Sequence, residues 1–487
     1  MRTRILIIAL IVAMGLSVSA LGQALDNLNL VGHGARAKAM GGAFISVADD
    51  GSALSWNPAG LIQVQDPQLS FAIDYFRPKT NFDLSYSDSR GLDKSKTVSF
   101  EDDLFPFSFA SFAAPVQIRD HLYVLSASFS SVSTRYDYFE ANIDPDTALY
   151  LRQVIDMGLL DTVAVNFQER ADCRLNLLRL GFGTNLYKNL NAGAGIDIFF
   201  GKGYIDTLFQ YNTSYIHPEQ DTIVDVLYHG NVADTLTFTG LNFIGGMMWR
   251  DDKFSIGGTI RLPFWITQKH VNWAADTIWQ NGVAKRASLA DIDETDKERF
   301  QVPWTLGLGA SYNISESFLL ASDFEWRRFG KSYTRYHYDT LLSSGDQEEI
   351  YYEYWMRYRN GYQVRIGAEY VMDMDFATIP LRAGFRYESF GHRDVDSMRF
   401  QLVDFDGIES NVQKDSLLQY RLLGDQRVGY GLAFGFGLHW ELVKLDFSME
   451  YDMRDKKASG TDYYGHFDAV GEYRGMRISM NFTGLFK

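Results

Sequence analysis

Apolar and polar positions alternate with a period of two through most of the chain beyond Leu69, the period of a strand whose two faces meet different surroundings. Leu432, Phe434, Phe436, Leu438 and Trp440 alternate with Ala433, Gly435, Gly437 and His439. Val443, Leu445, Phe447, Met449 and Tyr451 alternate with Lys444, Asp446, Ser448 and Glu450. Folding these runs at Glu441-Leu442 sets Leu438 against Leu445, Phe436 against Phe447 and Phe434 against Met449 on one apolar face. His439 and Lys444, Gly437 and Asp446, and Ala433 and Glu450 share the other face. Tyr362–Tyr370, Leu381–Tyr387, Trp304–Tyr312 and Met476–Phe482 repeat the pattern.

About fourteen such runs begin near Leu69, Phe105, His121, Arg174, Leu190, Leu236, Phe254, Val302, Phe318, Gly361, Leu381, Val428, Val443 and Tyr473. Short connections near Gln117–Asp120, Lys188–Asn189, Asp251–Asp252, Ser315–Glu316, Asp373–Thr378 and Glu441–Leu442 alternate with long ones. A soluble sandwich turns its apolar faces inward, whereas a membrane barrel turns them to lipid. Runs of about ten residues fit a tilted span, and Trp or Tyr often stands at a run's end. The fold class is therefore all-β, a transmembrane antiparallel barrel of about fourteen strands with both termini at the short-turn rim.

Aromatic residues make up 15% of the 487 residues, yet mean hydropathy is only -0.18. Past the opening segment no apolar run approaches the roughly 20 residues of a spanning helix. Arg2 and Arg4 precede an apolar stretch from Ile5 to Leu16 and then small Ser17, Ser19 and Ala20, the pattern of a secretory signal. A net charge of -15 argues against a nucleic-acid partner, and the single Cys173 excludes a disulfide framework or a thiolate zinc cluster. The nine histidines lack ligand spacing, so neither metal nor cofactor is expected.

Residues 34–61 do not read as strand. Ala35–Met40 forms a short helix ended by Gly41-Gly42, Asp49-Asp50-Gly51 is a turn, and Asn57-Pro58 is a second. Too few large apolar side chains are present for an independent core, so the barrel wall must hold the segment, with Trp56 as anchor. It is either a cap under the barrel or a plug within it. Gly41-Gly42-Ala43, Ala48-Asp49-Asp50 and Asn57-Pro58-Ala59 resemble the N-terminal hatch of the FadL/TodX outer-membrane transport family. Pro106 with Ala113-Ala114-Pro115-Val116, then Arg261-Leu262-Pro263, then Val302-Pro303-Trp304, fall in the family's order.

The resemblance covers nearly the whole mature chain. It implies a signal peptide over 1–20, a hatch over 21–68 and a barrel over 69–487. It further implies passive uptake of long-chain fatty acids or aromatic hydrocarbons across a Gram-negative outer membrane. The implied surroundings are outer-membrane lipid and lipopolysaccharide, a hydrophobic small molecule and, during assembly, the barrel-insertion machinery, with a monomeric state. The family's passengers leave sideways at a kinked third strand. Here the third run, Tyr123–Ser133 with Ser130-Ser131-Val132-Ser133-Thr134 at its upper end, contains no Gly or Pro to mark a kink.

By parity, Phe112, Leu122 and Val124 point inward among small Ala110, Ser126 and Ser128, as a passenger's path or as packing on the hatch. Inward Arg261, Arg365, Arg382 and Arg386 either meet a fatty carboxylate or pair with Asp323, Glu325, Glu369 and Glu388. Asp144-Pro145 opens a loop helix with Ala148, Leu151 and Ile155 on one stripe, and Asp291, Asp293, Glu294 and Asp296 form an acidic loop. His439, Asp446 and Ser448 share one face, but their spacing along the strands is wrong for a nucleophile and its base, so no catalytic residue is expected. The rival readings are a partner-binding barrel of a secretion system and a polar-solute porin.

Overall fold

The computed structural model describes residues 32–88, 93–101, 107–143, 159–216, 223–292, 297–341, 347–354, 358–398, 421–461 and 465–487. Its strands are β1 (Gln68–Asp88), β2 (Asp93–Glu101), β3 (Phe107–Ile118), β4 (His121–Ile143), β5 (Leu159–Tyr187), β6 (Leu190–Ile216) and β7 (Ile223–Arg250). There follow β8 (Phe254–Arg261), β9 (Phe264–Gln280), β10 (Val283–Ile292), β11 (Lys297–Val302), β12 (Thr305–Ser315), β13 (Phe318–Arg327) and β14 (Thr334–Leu341). The last are β15 (Gln347–Tyr354), β16 (Gly361–Met374), β17 (Ala377–Met398), β18 (Arg421–His439), β19 (Val443–Thr461) and β20 (Gly465–Leu485).

Consecutive pieces join into single staves: β2 with β3, β8 with β9, β10 with β11 and β12, β13 with β14, and β15 with β16. The result is a closed antiparallel barrel of 14 staves. Closure is made by β1 and β20, paired from Gln68 opposite Leu485 to Asp88 opposite Gly465. The hairpin expected from alternation forms residue for residue, with Phe436 opposite Phe447 and Phe434 opposite Met449. The Trp440 N–H donates to the Val443 carbonyl at 2.8 Å to close its turn.

The apolar parity faces outward around the barrel. Leu308 is 62% and Phe434 60% exposed, which only lipid can reward on this scale. Tyr362, Tyr387 and Tyr430 form an aromatic row with centroids 5.7 and 5.5 Å apart, and Trp440 marks the opposite border near the short turns. About ten positions separate Tyr430 from Trp440, and a rise of about 3.3 Å with a tilt of about 40° gives roughly 25 Å, a bilayer's apolar thickness.

Strands β5, β6 and β7 run 29, 27 and 28 residues, far past the roughly 9–11 a span requires. The excess extends from the rim opposite the short turns. Here the wall divides. The β3–β4 ladder ends at Phe109 opposite Ser130, above which β4 pairs with β5 only and β2 with β1. Likewise β15 pairs with β14, while β17 above Ser389 pairs toward β18. Among the described residues, no ladder joins β2 to β4, β10 to β14 or β15 to β17, so the extended wall parts in a seam at each of these places.

Residues 32–67 lie against the inward-facing wall. They contain α1 (Ala35–Ala39), α2 (Ala53–Trp56) and a 3-10 turn at Pro58–Gln63. Gly41 and Gly42, at φ of 65° and 82°, stop α1 as the sequence requires. The Asn57 side chain accepts from Ala59 N–H at 3.1 Å and caps the turn that Pro58 opens.

Candidate functional site: the lumen and the segment it holds

Small residues on the inner parity let the backbone of residues 32–67 touch the wall. A Cβ on Gly384 would lie 2.1 Å from Gly41 N, and one on Gly193 would lie 2.3 Å from the Pro58 carbonyl carbon. Those glycines are places of backbone contact. Asn57 reaches both sides of the contact, donating to the Ile45 carbonyl at 2.8 Å and to the Met247 carbonyl of β7 at 3.1 Å. Trp56 anchors inside the segment, its indole N–H bonded to the His33 carbonyl at 2.8 Å and its ring edge-on to Phe44.

Charge completes the attachment. Lys38 Nζ lies 2.6 Å from Asp74 of β1, and Arg36 makes two 2.8 Å bonds to Glu369 of β16 besides pairing with Asp49. Glu369 also accepts from Arg382 at 2.6 Å, and Arg382 continues to Asp446, which His439 contacts at 3.0 Å. Asp323 of β13 accepts the Phe44 and Ile45 N–H groups at 2.7 and 2.9 Å. Arg261 donates to the Ser55 carbonyl at 2.8 Å and shares Asp197 with Arg179. Arg365 pairs with Glu325 at 2.8 Å and covers the Trp56 ring.

Within the segment, burial and then the charges of Lys38 and Arg179 push His33 down to about 3, so it is neutral at pH 7, stacked 5.6 Å from Phe109. Burial, then neighbouring Asp49, pushes Asp50 up; its carboxylate accepts Ser52 N–H at 2.8 Å and holds the expected turn.

One step farther from the short-turn rim the lumen becomes apolar. Val132, Leu175, Leu177, Phe199, Phe264, Ile266, Phe300 and Val302 form one buried cluster. Leu177 and Phe199 stand two positions along β5 and β6 from Arg179 and Asp197, so the cluster sits directly on that ion-paired layer. The Phe199 and Phe264 rings stack at 4.9 Å. Val132 is the extra residue of a bulge in β4, where the register shifts between Ser131 and Ser133. A second shift, between Ala72 and Ile73 of β1, makes Ser108 the extra residue of β3 in the β1 ladder, on the stave that borders the seam between β2 and β4. The third stave is thus bent without Gly or Pro, in a run that carries neither.

Several expected positions change. Phe112 faces outward, 47% exposed, because it pairs with Leu69 and Ala127 on the lipid parity; Ala110 shares that side. Leu122 keeps the inner parity but is exposed at the short-turn rim, below the segment. Val124 is fully buried against the segment, and Ser130 is buried at the foot of the seam. All four arginines are ion-paired: Arg365 and Arg382 hold the expected Glu325 and Glu369, whereas Arg261 holds Asp197 and Arg386 holds Glu450 and Asp452, acids outside the expected set. The signal region, Phe105, Pro106, the Asp144–Gly158 loop and Asp293, Glu294 and Asp296 lie outside the described residues. The apolar cluster was not expected; its signal is broken alternation, in Leu177-Leu178, Ile198-Phe199-Phe200 and Phe264-Trp265-Ile266.

No protein-family model and no curated protein matches the chain. Solved structures do. A FadL homologue of Pseudomonas aeruginosa matches with TM-score 0.56 at 13% identity, over 94% of this chain and 99% of that one. The CymD monoaromatic hydrocarbon channel matches with TM-score 0.55 at 14% identity, over 94% and 99%. The toluene transporter TodX of P. putida matches with TM-score 0.52 at 15% identity, over 94% and 99%. At these identities the likeness is one of fold: the chain has the barrel fold of the FadL/TodX-type channels.

Proposed function

We propose that this chain is a non-enzymatic outer-membrane channel for passive uptake of hydrophobic molecules, closed by residues 21–68 acting as a hatch. The carrying observation is the inward apolar cluster around Leu177 and Phe199, in a lumen whose charges otherwise neutralise one another. A porin for polar solutes has no use for such a cluster, nor for a segment held by ion pairs across its bore. The names of the structural neighbours, hydrocarbon channels and a toluene transporter, support the same class. On this reading Gly41, Gly42, Asp49, Asp50, Trp56, Asn57, Pro58 and Ala59 shape the hatch. The passenger passes the cluster and leaves beside Val132 and Ser130, where the ladder stops.

The test separates hatch from path. Deleting residues 25–60 should leave an inserted barrel, since its ladder closes without them, and should raise single-channel conductance severalfold in planar bilayers. Leu177→Lys with Phe199→Lys should abolish uptake of a radiolabelled fatty acid or toluene while leaving that conductance low. No accelerated uptake by the intact protein, or equal conductance with and without the segment, would overturn the reading.

A further inference from the structure

On the outer surface, just past the aromatic border, basic side chains face one another across the ladder. Outward-facing Arg174 of β5 lies directly across the ladder from Lys202 of β6. Lys202 is opposite Thr237 of β7, Thr237 is opposite Lys269 of β9, and Lys269 is opposite Lys297 of β11. One step toward the bilayer, Arg299 of β11 is opposite Arg335 of β14. The outward parity is set by buried neighbours: Cys173 and Leu175, Gln268, and Phe300 point inward. At about 4.8 Å between strands, the row from Arg174 to Lys297 runs roughly 20 Å around the barrel.

Like charges directly opposite one another destabilise a sheet. Three such pairs stand in this row, in a protein of net charge -15. Among the described residues Lys202, Lys269, Lys297 and Arg299 make no ion pair, and Arg174 has only an exposed 3.4 Å contact with Asp172. The level is that of lipid headgroups. Trp265 and Tyr333 meet edge to face at 5.1 Å beneath the Arg335 guanidinium, and exposed Phe200, Leu241 and Phe243 begin the apolar band below. Across the barrel the arrangement differs, for Arg474 is paired there with Asp455 at 2.9 Å and Glu472 at 3.5 Å.

We propose that this row binds the phosphate groups of a phosphorylated glycolipid of the outer leaflet, a lipid A headgroup, on the side of the barrel made by β5, β6, β9, β11 and β14. Two phosphates at the ends of a disaccharide bridge the Arg174–Lys202 pair and the Lys269–Lys297–Arg299 group. The guanidinium groups bind bidentately, the ammonium groups as point charges, and the acyl chains lie on the apolar band. The inference does not depend on what passes through the lumen.

Native mass spectrometry of the full chain in detergent tests it, with bis-phosphorylated lipid A and the same lipid after phosphatase treatment as probes. The intact protein should retain the phosphorylated form at least tenfold more strongly. Combined Lys202→Gln, Lys269→Gln, Lys297→Gln and Arg299→Gln should remove that preference, whereas Arg77→Gln with Lys79→Gln, on the other side, should keep it. Heat-modifiable migration confirms that each variant is a closed barrel, and single Lys269→Gln and Lys297→Gln proteins give the same reading with smaller loss. Equal retention of both lipids, or undiminished preference in the fourfold variant, would overturn the assignment.

Discussion

The wall made by β5, β6 and β8 carries basic side chains on both faces, a few residues apart, under opposite rules. On the inner face Arg179 and Arg261 close on Asp197, whose side chain is wholly buried. On the outer face Arg174 stands opposite Lys202 with no carboxylate between them. Burial makes an unpaired ion cost several kcal/mol, so inside the wall every arginine named as a passenger contact already holds an acid. Water and mobile ions tolerate like charges outside. The inner arginines are structural, and the outer row is what remains free to bind.

The sharpest way to break this contrast is to remove one inner acid. Asp197→Asn leaves Arg179 and Arg261 buried side by side and should cost about 3–5 kcal/mol. Lys202→Gln, opposite the same strands' outer face, should change stability by less than about 0.5 kcal/mol. Urea unfolding in detergent, followed by heat-modifiable migration, measures both. Comparable small effects would show that pairing does not hold the inner layer.

A graded version uses pH. His33 faces Lys38 of α1, Arg179 of β5, Asp74 of β1 and Arg477 of β20, and its folded value of about 3 lies below the free value of 6.5. The undocked segment therefore binds the proton more readily. Docking is fully supported above pH 6.5 and is lost at up to ~1.4 kcal/mol per pH unit as pH falls from there toward 3. Asp50, pushed up by burial, works the other way as it takes its own proton. Hydrogen-exchange protection factors at residues 35–48, which remove the intrinsic pH dependence of exchange, should fall from pH 7.5 to 5, and His33→Phe should flatten that dependence. Equal slopes in both proteins would remove His33 from the account.

The same difference between faces explains what could be read in the sequence. Lipid on one side and a polar lumen on the other impose alternation, so the Phe434–Met449 hairpin was legible to the residue. Past the bilayer that asymmetry ends, so the 29-residue reach of β5 was not legible. Bulges at Ser108 and Val132 are set by how two ladders part, and neither position carries a residue that announces it. Phe112 faces lipid and not the lumen because inward Val124 pairs with Pro115, which turns the odd-numbered residues of β3 inward, and no residue of the Arg119-Asp120 turn announces that change of parity. The apolar cluster needs eight residues from five strands, β4, β5, β6, β9 and β11, to be brought together, although its consecutive apolar residues are visible in the sequence.

The smallest predicted effect is also the most discriminating, because its sign depends on the surroundings. Lys297 and Lys269 stand directly opposite each other on the outer face. In phosphatidylcholine vesicles their repulsion is uncompensated, so Lys297→Gln should stabilise the barrel by about 0.2–1 kcal/mol. In vesicles containing bis-phosphorylated lipid A the two ammonium groups share a phosphate, and the same substitution removes a favourable contact. The change should then become destabilising. Lys79→Gln, on the opposite side, should show no such reversal. A Lys297→Gln effect of one sign in both lipids would mean that the row carries repulsion without a partner.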